Sequence, residues 1–184
     1  MKELSLHILD IVQNSTRAQA TEVTIEITED FRQNLLKIVI KDNGSGIKKE
    51  VLSTVTNPFS TSRTTRRVGL GLSLLKAAAE QCRGGMVIES EEGKGTTVTV
   101  TFEHAHIDRV PLGDIVSTLI GIMIGNPGID VYYRHCVNDK LFAINTKVIK
   151  EELGDVPISD AAVMNFLSDY LQSNIDALYK EAQA

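Results

Sequence analysis

The sequence predicts an α+β fold, in which helices pack on one face of a mixed β-sheet. Segments with helical spacing of apolar residues alternate with pairs of segments in which every second residue is apolar. Residues 1–106 are expected to form a helix, two strands, a short helix, a polar segment, a helix and two more strands. This order of elements favours a two-layer sandwich.

The composition is that of an ordinary globular protein, with 184 residues of which 42% are hydrophobic and 23% charged. A net charge of -5 argues against bulk attraction to nucleic acid, although a local basic pocket remains open. The N-terminus carries acidic and amide groups too early for a signal peptide, and the apolar stretch 115–125 is too short to span a bilayer. The two cysteines lie far apart and lack metal-site spacing. They fit a reducing compartment better than a disulfide framework, so we expect a cytoplasmic protein.

The first helix and the first strand pair follow directly from hydrophobic spacing. Residues 4–17 place apolar side chains on one helical face. Residues 21–30 alternate apolar and polar, which is typical of a half-buried strand, and residues 34–42 read as a more deeply buried one. A short helix is predicted over 48–55, because the Asn57-Pro58 pair would end it.

The second half of the sandwich is equally regular. Residues 70–81 predict a helix that ends at the glycine pair 84–85. Residues 85–103 then predict two strands joined by a glycine-containing turn. These three elements complete the predicted unit of residues 1–106.

Residues 107–184 form a predicted C-terminal extension of helix, hairpin and helix. The first helix covers 111–125 and the hairpin covers 129–145. The final helix begins near Ser159, which we expect to be its N-cap, and it carries one apolar stripe. The extension is therefore expected to cover another surface or to mediate contact between two copies.

Polar side chains recur along one face of the first helix at steps of four and three: Glu3, His7, Asp10, Asn14 and Arg17. The simplest explanation is a solvated face. Alternatively, Asp10 and Asn14 lie about 6 Å apart along the helix axis, close enough to serve one hydrated metal ion. His7 and Asn14 are about 10 Å apart and could not share a small ligand.

Three glycine-containing segments are further candidates for a ligand site. Residues 42–47, DNGSGI, follow a buried strand and are either an ordinary turn or a close backbone approach beside the Asp42 carboxylate. Gly69 and Gly71 precede a helix whose N-terminal amides favour phosphate, although the spacing fits neither a dinucleotide fingerprint nor a P-loop. Residues 93–100 form a turn and strand in which Thr96 or Thr97 could face a pocket, or simply favour a hairpin.

In order along the chain, four segments resemble the N, G1, F/G2 and G3 boxes of the GHKL ATP-binding superfamily. They are LHILDIVQNSTRA, DNGSGI, NPFSTSRTTRRVGLGLSLL and GKGTTVTVTF. This superfamily includes sensor histidine kinases, gyrase B-type topoisomerases, ninety-kilodalton heat-shock chaperones and mismatch-repair ATPases. The resemblance covers about residues 4–102 and implies the Bergerat-type two-layer sandwich, with ATP and Mg²⁺ as ligands.

The resemblance also implies roles for individual residues. Asn14 would bind Mg²⁺ and Arg17 would contact phosphate, while Asp42 would accept the adenine amino group. The remaining nucleotide-binding positions implied are Gly44, Gly46, Phe59, Arg63, Gly69, Leu70, Gly71, Leu72 and one of Thr96 and Thr97. We further interpret residues 57–69 as a lid hinged on Gly69 and Gly71. Its arginines Arg63, Arg66 or Arg67 would either contact the triphosphate or simply be solvated charges on a loop.

The F/G2 segment is typical of the histidine-kinase branch, but no phosphoacceptor hairpin precedes the N box. His7 is a poor substitute, so we expect a domain that acts on a separate protein rather than a self-contained sensor kinase. Asp10 stands where mismatch-repair ATPases carry a general-base Glu and histidine kinases usually carry Asn, and its carboxylate could orient a water.

Three functions therefore stay open at this point. The first is an ATPase or protein kinase with Asp10 as base. The second is an ATP-gated regulatory module that resembles anti-sigma factors and has little turnover, and the third is a fold whose pocket is only structural. A mismatch-repair-like ATPase is less favoured. Expected partners are ATP and a protein partner or phosphoacceptor, without membrane or nucleic acid, and a homodimer through the C-terminal extension is open.

Overall fold

The structure, a computed structural model, describes residues 2–52 and 70–182, with the side chain of Leu70 excepted. The predictions for Phe59, Arg63 and Gly69, and for the remainder of the lid, lie outside these residues. The elements in chain order are α1 (Leu4–Arg17), β1 (Glu22–Asp30), β2 (Leu35–Asp42), α2 (Lys49–Leu52), α3 (Leu70–Gln81), β3 (Gly85–Glu91), β4 (Gly95–Glu103), α4 (Ile115–Gly125), β5 (Asp130–Val137), β6 (Lys140–Asn145), α5 (Thr146–Leu153) and α6 (Ala161–Ala182).

The six strands form one mixed sheet in the order β3-β4-β2-β1-β5-β6. Four of the five neighbouring pairs are antiparallel, whereas β1 and β5 run parallel. Parallel strands need a long connection, and the chain between the end of β1 and the start of β5 provides it. The predicted fold class, a mixed sheet with helices layered on one face, is confirmed.

The helices form the second layer over this sheet. α3 packs on β3 and β4, α1 packs on β2 and beside α3, and α4 packs between α1 and α6, which covers β5 and β6. Alternate residues of each strand supply the buried side of the sheet; in β1 these are Val23, Ile25, Ile27 and Glu29. The core therefore lies between the two layers, and the other face of β1 is half-buried or exposed.

The C-terminal extension continues both layers of the sandwich. β5 pairs with β1 from Glu22 to Glu29, and α4 and α6 lengthen the helical layer. The division at residue 106 stays a prediction, but residues after it complete the same sheet. Sequence reasoning did not foresee α5, whose Thr146 is buried and accepts a hydrogen bond from the Val131 N–H at 2.7 Å.

The predicted Ser159 cap of the last helix is wrong. The Asp160 carboxylate instead accepts hydrogen bonds from the N–H groups of Ala162 and Val163, at 2.9 and 3.3 Å. A carboxylate is a strong N-cap acceptor and also faces the positive end of the helix dipole. α6 therefore begins at Ala161, two residues later than expected.

A buried carboxylate joins the extension to the first sheet strands. Glu29 on β1 is 5% exposed and accepts hydrogen bonds from His104 after β4, His135 on β5 and Tyr179 on α6. Tyr133 completes the cluster through its hydroxyl, 2.8 Å from His135 Nδ1. Burial favours a raised pKa for Glu29, but the bonds from His135, Tyr179 and His104 outweigh it and lower the pKa from 4.5 to about 2.

This lowered pKa predicts a defined loss of stability in acid. A carboxyl whose pKa falls on folding stabilises the protein above its unfolded pKa of 4.5, and this contribution disappears as the pH falls towards 2. At neutral pH the contribution is about 3 kcal/mol. The difference in the free energy of unfolding between wild type and Glu29→Gln, from urea titrations, is therefore expected to shrink below pH 4.5. A difference that stays constant with pH would contradict this.

Candidate nucleotide-binding site

Four of the predicted site segments meet at one end of the sandwich. The C-terminal end of α1, the end of β2 and the start of β4 come together because Asp42 is paired with Thr96 in the β2–β4 register and Ser15 of α1 reaches Asp42. The first turn of α3 joins them by approaching Asp10 of α1. The structure therefore brings together residues that lie far apart in the sequence.

Asp42 is the buried acceptor at the centre of this end, with 8% of its surface exposed. Oδ1 accepts hydrogen bonds from the N–H groups of Gly44 at 2.9 Å and Thr96 at 3.2 Å. Oδ2 accepts a hydrogen bond from the Ser15 hydroxyl at 2.6 Å. These three donors fix the carboxylate in one orientation, so its remaining lone pairs are a preorganised acceptor for a ligand amino group.

Gly44 and Gly46 form the turn that follows Asp42. Gly46 has a φ of +68°, and a methyl group added there would lie 2.1 Å from the Glu91 carbonyl oxygen. Only glycine fits this position without displacing the β3–β4 hairpin. Asn43, in contrast, accepts hydrogen bonds from the N–H groups of Thr21 and Glu22, at 2.9 Å each, so it stabilises the start of β1.

The structure distinguishes between the two threonines on β4. Thr96 shares the helix-covered face with Asp42 and with buried Val98, and its hydroxyl lies 2.9 Å from the Ser90 hydroxyl. Thr97 points to the opposite face because side chains alternate along a strand. Thr96 is therefore beside Asp42, and Thr97 is not.

Ser15 is a site residue that sequence reasoning missed. It follows Asn14 directly, yet only 2% of it is exposed, and it lies on the buried face of α1 with Ile8 and Ile11. A lone hydroxyl on the apolar stripe of an amphipathic helix was the available signal, because a buried polar group needs a partner. That partner is Asp42.

Asp10 is packed directly against the start of α3. A methyl group added at Gly71 would lie 1.7 Å from Asp10 Oδ2, far inside van der Waals contact. The carboxylate and the Gly71 backbone can approach this closely only because glycine has no side chain. Asp10 thus stands at the helix N-terminus that the resemblance assigns to the phosphates.

This contact is expected to offset the stability that Gly71→Ala would otherwise gain from helix propensity. Alanine normally stabilises a helix relative to glycine by about 0.5–1 kcal/mol. Here we expect that gain to be reduced or lost, because the methyl group must turn the Asp10 carboxylate away from its place against α3. Thermal unfolding should show the ordinary helix-stabilising sign in an Asp10→Ala background, where the carboxylate is absent. Equal effects in both backgrounds would contradict the contact.

Asn14 and Arg17 form a hydrogen-bonded pair on the same face of α1 as Asp10. Arg17 Nη1 donates to Asn14 Oδ1 at 2.9 Å, and Arg17 is exposed whereas Asn14 is half-buried. Mg²⁺ takes oxygen ligands and usually keeps several waters and substrate phosphates as the others. The Asn14 amide oxygen beside the Asp10 carboxylate fits such an ion, with Arg17 available as a cation for phosphate oxygens.

His7 departs from the solvated face predicted for it. It is 4% exposed, lies among Leu4, Ile8 and Leu75, and its Nδ1 has no hydrogen-bond partner among the described residues. Burial is the main cause of its lowered pKa; the positive N-terminus also lowers it and Asp10 opposes them. A buried, neutral imidazole is consistent with the expectation that His7 is a poor phosphoacceptor.

The C-terminal extension reaches the rim of this site. The Thr16 hydroxyl donates to Asn126 Oδ1 at 3.0 Å, and Asn126 Nδ2 donates to the Ile122 carbonyl at the end of α4. The turn of α1 that carries Asn14 and Arg17 is therefore fastened to the extension. Sequence reasoning gave Asn126 no role.

Comparison with known proteins assigns the fold to a family. Residues 2–106 match the family described as histidine kinase-, DNA gyrase B- and HSP90-like ATPases. The chain belongs to this family. It contains a histidine-kinase-like ATP-binding domain, and the resemblance read from the four boxes is confirmed.

Curated relatives of this ATP-binding domain are mainly sensor and histidine kinases. It is 36% identical over 97 residues to the histidine protein kinase DivJ of Caulobacter vibrioides, covering 50% of this chain and 16% of that protein. It is 32% identical over 123 residues to the non-motile and phage-resistance protein of the same organism, covering 64% and 15%. Sporulation kinase D of Bacillus subtilis is 34% identical over 96 residues, with 51% and 18% covered. The chain thus spans less than a fifth of each relative.

One solved structure supports the fold beyond the family match. The N-terminal domain of a DNA repair protein superposes with a TM-score of 0.54 at 17% identity, covering 78% of this chain and 52% of that one. At this identity the likeness concerns the fold alone. Among the helices that the structure describes, none combines the length and hydrophobicity needed to cross a membrane.

Proposed function

We propose that this ATP-binding domain turns over Mg-ATP and acts on a separate protein, either as a protein kinase or as an ATPase that drives a conformational change. The single observation that carries the proposal is the position of Asp10. Its carboxylate lies against Gly71 at the start of α3 and on the same helix face as Asn14. A carboxylate in this position can orient a nucleophile towards a phosphoryl group held by the α3 amides.

Each site residue has a part in this proposal. Asp42 accepts the adenine amino group and Thr96 lies beside it, while Gly44 and Gly46 leave space for the base. Asn14 holds Mg²⁺, Arg17 neutralises phosphate charge, and the backbone of residues 69–72 binds the phosphates. When bound, Mg²⁺ supplies positive charge to the phosphate oxygens. Phe59 and Arg63 belong to the lid and keep their predicted roles as proposals.

Asp10 acts on the attacking group. If the acceptor is water, its carboxylate accepts a hydrogen bond and aligns the oxygen with the terminal phosphorus. If the acceptor is a partner's side chain, the same carboxylate accepts the proton that the side chain loses. The attacking oxygen or nitrogen then bonds to phosphorus as the bond to the ADP oxygen breaks. Both outcomes release ADP and differ only in where the phosphate goes.

A second function is favoured by a separate observation. Asn14 Oδ1 is already held by Arg17, and the turn that carries both is tied to the extension through Thr16 and Asn126. A nucleotide that rearranges this pair would alter the extension, as an ATP-gated binding module requires. In that case ATP is bound with little turnover and controls the affinity for a protein partner. We also propose a cytoplasmic location, since the free cysteines Cys82 and Cys136 fit a reducing compartment.

One experiment separates these outcomes. The protein is incubated with Mg²⁺ and ATP labelled at the γ-phosphate, with and without native cell extract. Label on a protein supports the kinase, and label released as phosphate supports the ATPase. Label that stays on ATP under all conditions, although ATP binds, would overturn the proposal in favour of the binding module. Extract incubated with the same labelled ATP but without the added protein corrects for other kinases.

A further inference from the structure

The free edge of the sheet at β6 is exposed and carries little charge. Its exposed or half-buried side chains include Leu141, Ala143 and Asn145, and among the described residues β6 pairs only with β5. Monomeric proteins usually protect such an edge with charge, proline or a bulge. The opposite edge strand, β3, presents the exposed carboxylates Glu89 and Glu91, whereas Lys140 is the single charge on β6. The Lys140 side chain forms an ion pair with Glu181, with 3.6 Å between Lys140 Nζ and Glu181 Oε2.

The hairpin geometry identifies which backbone groups of β6 are free. Val137 and Lys140 are paired across a two-residue turn, and such a turn closes on a hydrogen-bonded pair. Because hydrogen-bonded and non-hydrogen-bonded pairs alternate, the N–H and C=O groups of Phe142 point towards β5. Those of Leu141 and Ala143 therefore point away from the sheet, to the open edge.

An aromatic cluster lies beside this edge on the helical layer. Phe166 of α6 is 67% exposed and stacks on Tyr170, with ring centroids 6.1 Å apart. Tyr170 in turn contacts Phe142 of β6, with centroids 5.8 Å apart. The exposed aromatic side chains thus lie on the flank of α6 nearest the edge strand, where a neighbouring molecule would meet both.

From this arrangement we propose that β6 and α6 form a two-fold interface with a second copy of this chain. Antiparallel pairing centred on Ala143 joins the two sheets into one of twelve strands. Ala143 then exchanges both of its backbone hydrogen bonds with Ala143 of the other copy, as a two-fold axis requires. The C-terminal extension is in this view the dimerisation element.

The sequence of β6 is complementary to itself in this register. Phe142 stands opposite Ile144 of the other copy on the helix-covered side of the sheet. Leu141 stands opposite Asn145 of the other copy on the open side. Lys140 falls opposite Thr146, so no like charges are opposed, and cross-strand pairs of apolar side chains stabilise the join. A register centred on Phe142 would instead place Lys140 against Ile144.

The position of α6 also suits this dimer, because the two α6 helices would lie at a normal packing distance. α6 packs on both β5 and β6, so its axis lies near the boundary between the two strands. Joining two β6 edges places the two α6 axes about two strand spacings apart, roughly 10 Å. Packed helices lie about 8–10 Å apart, so Phe166 and Tyr170 of the two copies would meet and fill the space between the helices. Aromatic clusters of this kind commonly carry most of an interface's binding energy.

The test measures the mass of the full chain by light scattering or sedimentation over a dilution series. Wild type is expected to sediment as a dimer that dissociates on dilution. Ala143→Pro removes the outward N–H, and Phe166→Lys places a charge in the aromatic contact; each is expected to raise the dimer dissociation constant by about tenfold or more. Val87→Lys is the matched control, since Val87 is 60% exposed on the opposite edge and should leave the dimer unchanged.

A cross-link tests the register itself. Ala143→Cys should form a disulfide between copies under mild oxidation, because Cα atoms of a directly opposed pair lie about 5.5 Å apart. Val87→Cys should not. A wild type that is monomeric throughout overturns the proposal and leaves the edge to another protein's strand. The proposal is also overturned if the dimer is unaffected by Phe166→Lys or lost in Val87→Lys. If Ala143→Pro fails to fold, Phe166→Lys alone decides the test.

Discussion

Replacing Asp42 by asparagine is expected to lower the affinity for ATP by about 10- to 100-fold, because the proposed acceptor for the adenine amino group is lost. Asp42 has two carboxylate oxygens, and Oδ1 alone accepts from the Gly44 and Thr96 backbone. Asparagine can keep an oxygen at that position. Its NH₂ group then replaces Oδ2, so a ligand amino group meets a donor instead of an acceptor.

The fold should survive this substitution. Ser15 Oγ donates to Oδ2 of Asp42, and a hydroxyl can rotate to accept a hydrogen bond from the new NH₂ group instead. The buried N–H groups of Gly44 and Thr96 keep their acceptor. Asp42→Ala, in contrast, leaves these donors without a partner and is expected to cost about 1–3 kcal/mol of stability for each. Asp42→Asn therefore separates binding from folding.

The base specificity of the Asp42→Asn variant provides the sharpest readout. Inosine triphosphate carries a carbonyl where ATP carries the amino group, and the asparagine NH₂ can donate to it. Isothermal titration calorimetry should show reduced affinity for ATP and retained or improved affinity for inosine triphosphate. Asp139→Asn on the exposed β5–β6 turn is the control and should change neither. Parallel losses for both nucleotides, or no loss for ATP, would show that Asp42 does not read the base.

Local patterns were sufficient to predict most elements of the sandwich. α1, β1 and β2 are strongly periodic, and the observed bounds differ from the predicted ones by no more than one residue. The reason is that a single buried face determines both the element and its orientation. α5 was missed because its eight residues have only one buried side chain, Thr146, and follow a strand without a break.

The parallel pairing of β1 with β5 could not be inferred from the sequence. Val23 and Val131 are opposed in this register although more than a hundred residues separate them. The hydrophobic pattern alone would allow the β5–β6 hairpin to pair with either edge of the sheet formed by β1 to β4. The contacts that favour pairing with β1 are visible only in the folded structure. There, Glu29 of β1 accepts hydrogen bonds from His104, His135 and Tyr179.

The candidate site was predictable as a set of segments but not as a set of contacts. Sequence reasoning left Thr96 and Thr97 open, because a turn does not reveal which residue of the next strand faces inward. The β2–β4 register pairs Thr96, and not Thr97, with Asp42. The approach of Asp10 to Gly71 was equally hidden, since it depends on how α1 packs beside α3. The periodicity of a helix shows which residues share a face, but not which element packs against that face.

Replacing Asp10 by asparagine is expected to reduce ATP turnover by about 10²–10⁴-fold and to leave ATP affinity within a few-fold of wild type, the loss typical of a removed general base. Asparagine has the same shape as aspartate, so the close packing against Gly71 is kept. It cannot take up a proton from the attacking group. Turnover is measured as labelled phosphate released or transferred, and affinity by calorimetry, with exposed Asp169→Asn as the control.

The length of the side chain at position 10 carries a further consequence. Asp10→Glu would supply the longer carboxylate found in the mismatch-repair branch, but Asp10 Oδ2 already lies against the Gly71 backbone. An extra methylene has no room in that direction, so we expect Asp10→Glu to lose turnover rather than gain it. If Asp10→Asn hydrolyses or transfers phosphate at the wild-type rate, Asp10 is not the base. If wild type binds ATP without turnover even with its partner present, Asp10 instead serves a nucleotide-gated binding module.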